Sequence, residues 1–306
     1  MAPYPDIRDL QLLQVLAQRK HFTQAAAQCG ISQPAFSARI RHLEEELGVP
    51  IVRRGNKFLG FTPDGELVLK WASKILAHAE GLRQDIEVSR GALRGKLMIG
   101  VVPTALTYVA NISTLLRQSH PSLTIQIQSL TSAQIARGLV EFSLDAGITY
   151  GDELQKTSLV FDPVYDEHYV LLVPAALAPR SAGAVTWAEA ASVPLCLLSN
   201  DMHFRHIVDM AFAEQQVKPE PAMETNAFTA ALAQVANGSA ATIAPSGLVD
   251  SLLLDGHTVS LALTRPALCP AIGLAVLAQE PSLPAIAALR QAIECYRNNQ
   301  NKSYDA

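Results

Sequence analysis

Between Ser32 and Lys57 the chain gathers side chains suited to base edges and phosphates: Ser32, Gln33, Ser37, Arg39 and Arg41, then Arg53, Arg54 and Lys57. A Gln amide matches adenine, an Arg guanidinium matches guanine or a phosphate, and a Ser hydroxyl serves either. This chemistry needs a helix that can enter a major groove, with a nearby loop that reaches the backbone. The stretch FTQAAAQCGISQPAFSARIRHLEEE, Phe22 to Glu46, supplies the helix. Thr23 is placed to cap a first helix with Phe22 outside it, and Ala25, Ala26, Ala27 and Cys29 give it a small-residue face. Gly30 closes that helix in the left-handed conformation. Ser32 caps a second helix, and Pro34 sits in its tolerant first turn. Phe36, Ile40, Leu43 and Leu47 recur at helical spacing, which turns Gln33, Ser37, Arg39 and Arg41 away from the core.

The flanking segments complete a small domain. Asp6 to Gln18 (DIRDLQLLQVLAQ) reads as a scaffold helix capped by Asp6, with Ile7, Leu10, Leu13 and either Leu16 or Ala17 inward. Arg53, Arg54 and Lys57, followed by Phe58, Leu59, Gly60 and Phe61, read as a short basic hairpin, and Thr62-Pro63-Asp64 opens a long helix. Residues 1–60 hold eight Lys and Arg against five Asp and Glu, while the chain as a whole carries a net charge of -4. Positive charge is therefore concentrated on the segment with base-reading chemistry.

ISQPAFSARIRHLEEELG, the Arg-rich hairpin and the following TPDG together resemble the N-terminal domain of LysR-type transcriptional regulators. The resemblance implies a winged helix-turn-helix over 1–62 that binds double-stranded operator DNA. Beyond it lie a linker helix over 63–89, a hinge over 90–95 and an effector domain over 96–306. That domain is implied to be periplasmic-binding-protein-like, with two α/β lobes: 96–163 with 266–306, and 164–265. The linker helix carries Val68, Ala72, Ile75, Ala79, Leu82 and Ile86 in 4-3 steps, a seam that wants a partner helix. The resemblance adds antiparallel pairing, a homodimer or homotetramer, and contact with RNA polymerase.

After residue 96 the pattern itself changes to strands alternating with helices, the signature of open, mainly parallel sheets. Ligands in such sheets lie beyond the carboxyl ends of strands, near helix N-termini. Pro103-Thr104, Thr131-Ser132, Thr149 and the loop from Ser199 through Met202, His203 and Phe204 occupy those places. Family effector contacts carried onto matching positions fall on Thr104, Ser132, Thr149, His203 and Phe204. Hydroxyls and one His, with no clearly placed Arg, suit a small polar or monoanionic effector.

An enzyme on the same two-lobe fold would need a nucleophile and base, a metal cluster or a phosphate loop, and no such motif stands in the sequence. The expectation is no catalytic set, no metal and no cofactor. The four cysteines are scattered without metal-ligand spacing, so reduced thiols are favoured over a Cys196–Cys269 switch, and His203-Phe204-Arg205-His206 lacks a convincing third metal ligand. A solute-binding protein is the other alternative. It is opposed by the N-terminal head and by a first segment, MAPYPDIRDL, without signal-peptide character; that start and the absence of a bilayer-length apolar run point to the cytoplasm.

Overall fold

In a computed structural model the chain divides into two units that part after Gly91. Residues 4–53, 58–154, 159–180, 183–250, 257–278 and 281–304 are described, leaving aside the side chains of 153 and 300–304.

In the first unit, α1 (Ile7–Arg19) begins where the Asp6 carboxylate accepts the Arg8 N–H at 2.8 Å. Leu10, Leu13 and Leu16 are buried, whereas Ile7, expected inward, is exposed, one turn too early to meet the core. α2 (Phe22–Gln28) starts after His21 with no side-chain cap, so Thr23 lies inside the first turn and is not its cap. Gly30 takes φ +68°, and the Ile31 N–H returns to the Ala26 carbonyl at 3.1 Å. α3 (Gln33–Leu47) is capped by Ser32, whose Oγ accepts the Ala35 N–H at 3.3 Å, with Pro34 in the first turn. Phe36, Ile40 and Leu43 are fully buried and Leu47 partly so.

The hairpin is tied to this framework twice. Val52 bridges Phe61 across it, with the Arg53 N–H on the Gly60 carbonyl at 3.0 Å. The buried Glu44 carboxylate accepts the Ile51 and Val52 N–H groups at 2.8 and 3.1 Å. Phe22 meets Phe36 and Phe58 edge-on, and Phe58 meets Phe61, so aromatic contacts join α2, α3 and the wing. Thr62 caps α4 (Pro63–Ser89) at the Gly65 N–H. A Cβ on Gly65 would lie 2.0 Å from the Ile51 carbonyl oxygen, which is why glycine stands there.

The seam expected along α4 divides in two. Val68, Ala72 and Leu76 pack on the head core because α4 lies against α1. The large apolar side chains left in solvent are Leu67, Trp71, Ile75, Leu82, Ile86 and Val88, with Trp71 and Leu82 57% and 63% exposed. The stripe open to a partner thus keeps Ile75, Leu82 and Ile86 but exchanges Val68 and Ala72 for Leu67 and Trp71.

The second unit opens with β1 (Gly95–Val101), a 3-10 turn at Pro103–Ala105, α5 (Leu106–Ser119), β2 (Leu123–Ser129), α6 (Ser132–Val140), β3 (Ala146–Tyr150) and β4 (Leu159–Asp166). The chain then crosses into β5 (Tyr169–Pro174), β6 (Ala184–Thr186), α7 (Trp187–Ala190), β7 (Cys196–Leu198), α8 (His203–Glu214), β8 (Met223–Thr225), α9 (Phe228–Ala236), β9 (Thr242–Pro245), α10 (Ser246–Asp250) and β10 (Thr258–Thr264). It returns through β11 (Ala271–Leu277) and ends in α11 (Pro284–Tyr304).

The first lobe is a sheet in the order β2-β1-β3-β11-β4, and the second a sheet β6-β10-β5-β9 with a β7-β8 pair beside it. The structure departs from expectation in two places. The sheets are mixed, because both return passages enter antiparallel: β11 against β3 and β4, and β5 against β9 and β10. β4 stays in the first lobe through Asp166, so the crossover comes at Glu167 and His168, beyond the expected 163/164 boundary. Residues 297–304 continue α11.

Candidate functional site

On the head, α3 presents Gln33, Pro34, Ala35, Ala38 and Arg41 to solvent, with Ser37 half-buried beside them. Gln33 Nε2 donates to Ser37 Oγ at 3.0 Å, which fixes the amide on the open face. Ser32 spends one lone pair on its cap and keeps its hydroxyl proton to donate. Arg53 is exposed at the root of the wing; Arg54 and Lys57 lie outside the described residues.

Arg39 is differently employed from the base reading expected of it. Its Nε donates to Asp9, which is 1% exposed, and its Nη2 stands 3.2 Å from Asp6. The hydrogen bond to Asp9 holds the guanidinium pKa above its usual value, and the Arg8 N–H, followed in effect by Arg39, holds Asp6 below its own. Arg39 therefore neutralises a carboxylate buried between α1 and α3. Asp9, His42 and Glu46 also bring three ligand-type atoms within 4.8 Å of one another, with Asp9 already engaged by Arg39.

In the second unit seven of the eight residues expected to line a cleft lie around one small cavity, and Thr149 is not among them. Pro103, Thr104, Thr131, Ser132, Met202, His203 and Phe204 surround one cavity with Tyr150, but it holds only about 10 Å3, the room of a single water. Thr131, not Ser132, caps α6: its Oγ1 accepts the Gln134 N–H while Gln134 Oε1 accepts the Thr131 N–H. The Ser132 hydroxyl, one residue further in, is buried without a hydrogen-bond partner, and so is that of Thr149 on β3. The His203 ring lies 4.8 Å from that of Tyr150, with Nε2 3.1 Å from Asp152. Phe204 is mainly a packing anchor, buried edge-on against Tyr169 and Phe228.

Two residues essential to this geometry were not among the expected ones. Arg205, 7% exposed, donates to the Leu198 carbonyl at 2.7 Å and pairs with Glu224 and Asp209, so this guanidinium beside the cleft loop is engaged within the fold. Glu167, 2% exposed on the crossover, accepts the Tyr150 hydroxyl at 2.7 Å, and Tyr150 lies 3.1 Å from Thr104 Oγ1. Burial pushes the Glu167 carboxyl up to about 7, against the pull of the Tyr150, Tyr169 and Thr104 hydroxyls. The cysteines form no pair: Cys196 is buried, with its thiol pushed up by burial, while Cys269 is exposed with Sγ 3.2 Å from His168 Nδ1. His206 is exposed, its ring 6.5 Å from that of His203.

Residues 7–66 match the family model "Bacterial regulatory helix-turn-helix protein, lysR family", and residues 90–296 match "LysR substrate binding domain". The chain belongs to the LysR family. It is a DNA-binding transcriptional regulator with an effector-binding domain. Among LysR relatives, it is 28% identical over 304 residues to the DNA-binding transcriptional dual regulator OxyR of Escherichia coli K12, covering 98% of this chain and 97% of that one. It is 32% identical over 173 residues to a probable hydrogen peroxide-inducible genes activator of Streptomyces viridosporus, 56% of this chain and 54% of the relative. A full-length OxyR variant of Pseudomonas aeruginosa superposes with a TM-score of 0.77 at 26% identity over 95% of both chains. CbnR in complex with its target DNA shares the fold, with a TM-score of 0.68 at 20% identity over 94% of this chain and 99% of that one.

For a LysR regulator the buried acid on the crossover has a measurable signature. Between about pH 4.5 and 7 the folded protein keeps the Glu167 proton that the unfolded chain releases, so this group's stabilisation declines as pH rises through that window, by roughly 3 kcal/mol in total. Urea midpoints at pH 5, 6, 7 and 8 should therefore fall more steeply for wild type than for Glu167→Gln, with the two curves parallel above pH 8. Parallel curves across the whole range would show that Glu167 ionises normally.

Proposed function

We propose that this regulator reads its operator through Gln33 and Ser37, with Ser32, Pro34 and Arg41 beside them, and that Arg53, Arg54 and Lys57 hold phosphates. The carrying observation is the exposed N-terminal face of α3, where Gln33 is already hydrogen-bonded to Ser37. Arg39 acts at one remove, by keeping α3 against α1. Two heads are joined through the exposed stripe of α4, giving a homodimer or a homotetramer on double-stranded DNA in the cytoplasm, with RNA polymerase as a further partner. No enzymatic step is assigned to the two lobes.

The effector, a small polar molecule or monoanion, is bound between the lobes by Thr104, Ser132, Thr149 and the N-terminus of α8 at Met202 and His203. The unpartnered hydroxyls of Ser132 and Thr149 support this reading. A cleft of about 10 Å3 must open to admit such a molecule. Effector binding then selects a more open lobe arrangement, and its leverage on DNA is its differential affinity for the two arrangements.

On an operator selected from random sequence, Gln33→Ala should weaken binding by about 1 to 3 kcal/mol and leave random duplex unaffected, whereas Arg53→Ala should weaken both and lower the salt slope. Arg39→Ala should instead lower the stability of the head by about 2 to 3 kcal/mol, because Asp9 is left buried without its cation. Equal losses on both duplexes for Gln33→Ala would remove it from the base-reading set. Leu82→Asp, which places a carboxylate in the exposed stripe, should halve the assembly mass in sedimentation; an unchanged mass would mean that α4 is not the joint. Ser132→Ala should abolish the change in operator mobility produced by small carboxylates while sparing effector-free DNA binding. A response with unchanged midpoint would place the effector elsewhere.

A further inference from the structure

A second cavity, of about 680 Å3, adjoins the closed cleft: Thr104 lines both, Tyr150 faces the cleft, and Glu167 faces the larger space. Its walls come from α5, α10, α11 and the crossover between β4 and β5, and its volume is that of an ordinary small-molecule site. Three features define what would fit. Glu167 is 2% exposed, and its Oε1 makes no hydrogen bond, the nearby hydroxyls standing close enough to lower its pKa but not to bond that oxygen. Among the described residues no cationic side chain forms a salt bridge with it.

Tyr108, Tyr165 and Tyr296 form a contiguous aromatic wall, with ring centroids 4.7 and 5.3 Å apart, and the Tyr108 hydroxyl is buried without a partner. The remaining charges on the lining are Asp166 and Asp250 against Arg297, with His168 beside them, so the site carries an excess of acid. A buried carboxyl lacking a counter-ion, next to tyrosine rings and an acidic rim, is complementary to an organic cation: the rings attract the positive charge and the carboxylate pairs with it.

We propose that this cavity is a second ligand site whose ligand is a small amine, its ammonium paired with Glu167 and its apolar body against Tyr108, Tyr165 and Tyr296. The inference stands apart from the effector cleft and does not rest on it. Binding draws Glu167 into its charged form, so near pH 6 the carboxyl releases its proton to solvent as the ammonium arrives. Tyr150 then donates to a full carboxylate, which ties the second site to the wall of the first.

Calorimetric titration of the full chain with benzylamine, benzyl alcohol and benzoate tests this, in two buffers of different ionisation enthalpy at pH 6. Benzylamine should bind saturably with proton release, at least tenfold more tightly than either analogue of the same size. Glu167→Gln should weaken it at least tenfold and abolish the proton release, and Tyr296→Leu, in the aromatic wall, should weaken it several-fold with Glu167 left in place. Absence of benzylamine binding, equal binding of benzoate or benzyl alcohol, or retention in Glu167→Gln would each overturn the proposal.

Discussion

A carboxyl removed from water must be neutralised, hydrogen-bonded or both, and Glu167 places that demand at the passage between the lobes of the effector domain. Its backbone N–H is spent on the Pro270 carbonyl at 3.0 Å, which ties the outgoing and returning crossovers together. Its Oε2 is spent on Tyr150, and through Tyr150 on Thr104 at the first turn after β1. Thr104 and Tyr150 belong to the first lobe, while Tyr169, which bears on the same carboxyl, opens β5 of the second. Any change in lobe arrangement alters the polar surroundings of one buried acid.

The head is organised by the same rule. Asp9 and Glu44 are both buried, and each fixes a different neighbour. Asp9 draws in Arg39 and so sets α3 against α1, while Glu44 takes two backbone N–H groups and sets the wing against α3. A recognition helix must be held rigidly if its exposed side chains are to discriminate bases. Here the two carboxylates act on α3 through Arg39, near its middle, and through Glu44, near its C-terminal end, so the helix is held at two points.

What the sequence makes legible is what local chemistry determines. The Ser32 cap, the positive φ of Gly30, Pro34 in the first turn and the burial of Phe36, Ile40 and Leu43 follow from neighbours within a few residues. The cleft loops are legible for a related reason: strand ends and helix starts in an alternating pattern have few places to go. Arg39 could not be read correctly because its partners lie 30 and 33 residues earlier, and an Arg on an amphipathic helix has the same spacing whether it faces DNA or a buried acid. Ser132 and Thr131 are indistinguishable as caps until Gln134 is seen to bond Thr131. Glu167, within YDEHY, looks like a solvated charge in a polar run, since nothing local signals that two crossovers close over it.

A cleft with room for one water lies beside a cavity of about 680 Å3, and because Thr104 lines both they are not independent volumes. Packed interiors switch between discrete arrangements more readily than they deform, so on the proposed function space gained at the cleft is drawn from rearrangement of the Thr104–Tyr150–Glu167 chain, whose Thr104 and Glu167 line the larger cavity. A ligand stabilising Glu167 as a carboxylate strengthens the Tyr150 hydrogen bond and resists that rearrangement. On the proposed function an effector in the cleft works against it, and the coupling between the two proposed sites is negative, each ligand weakening the other by the same factor.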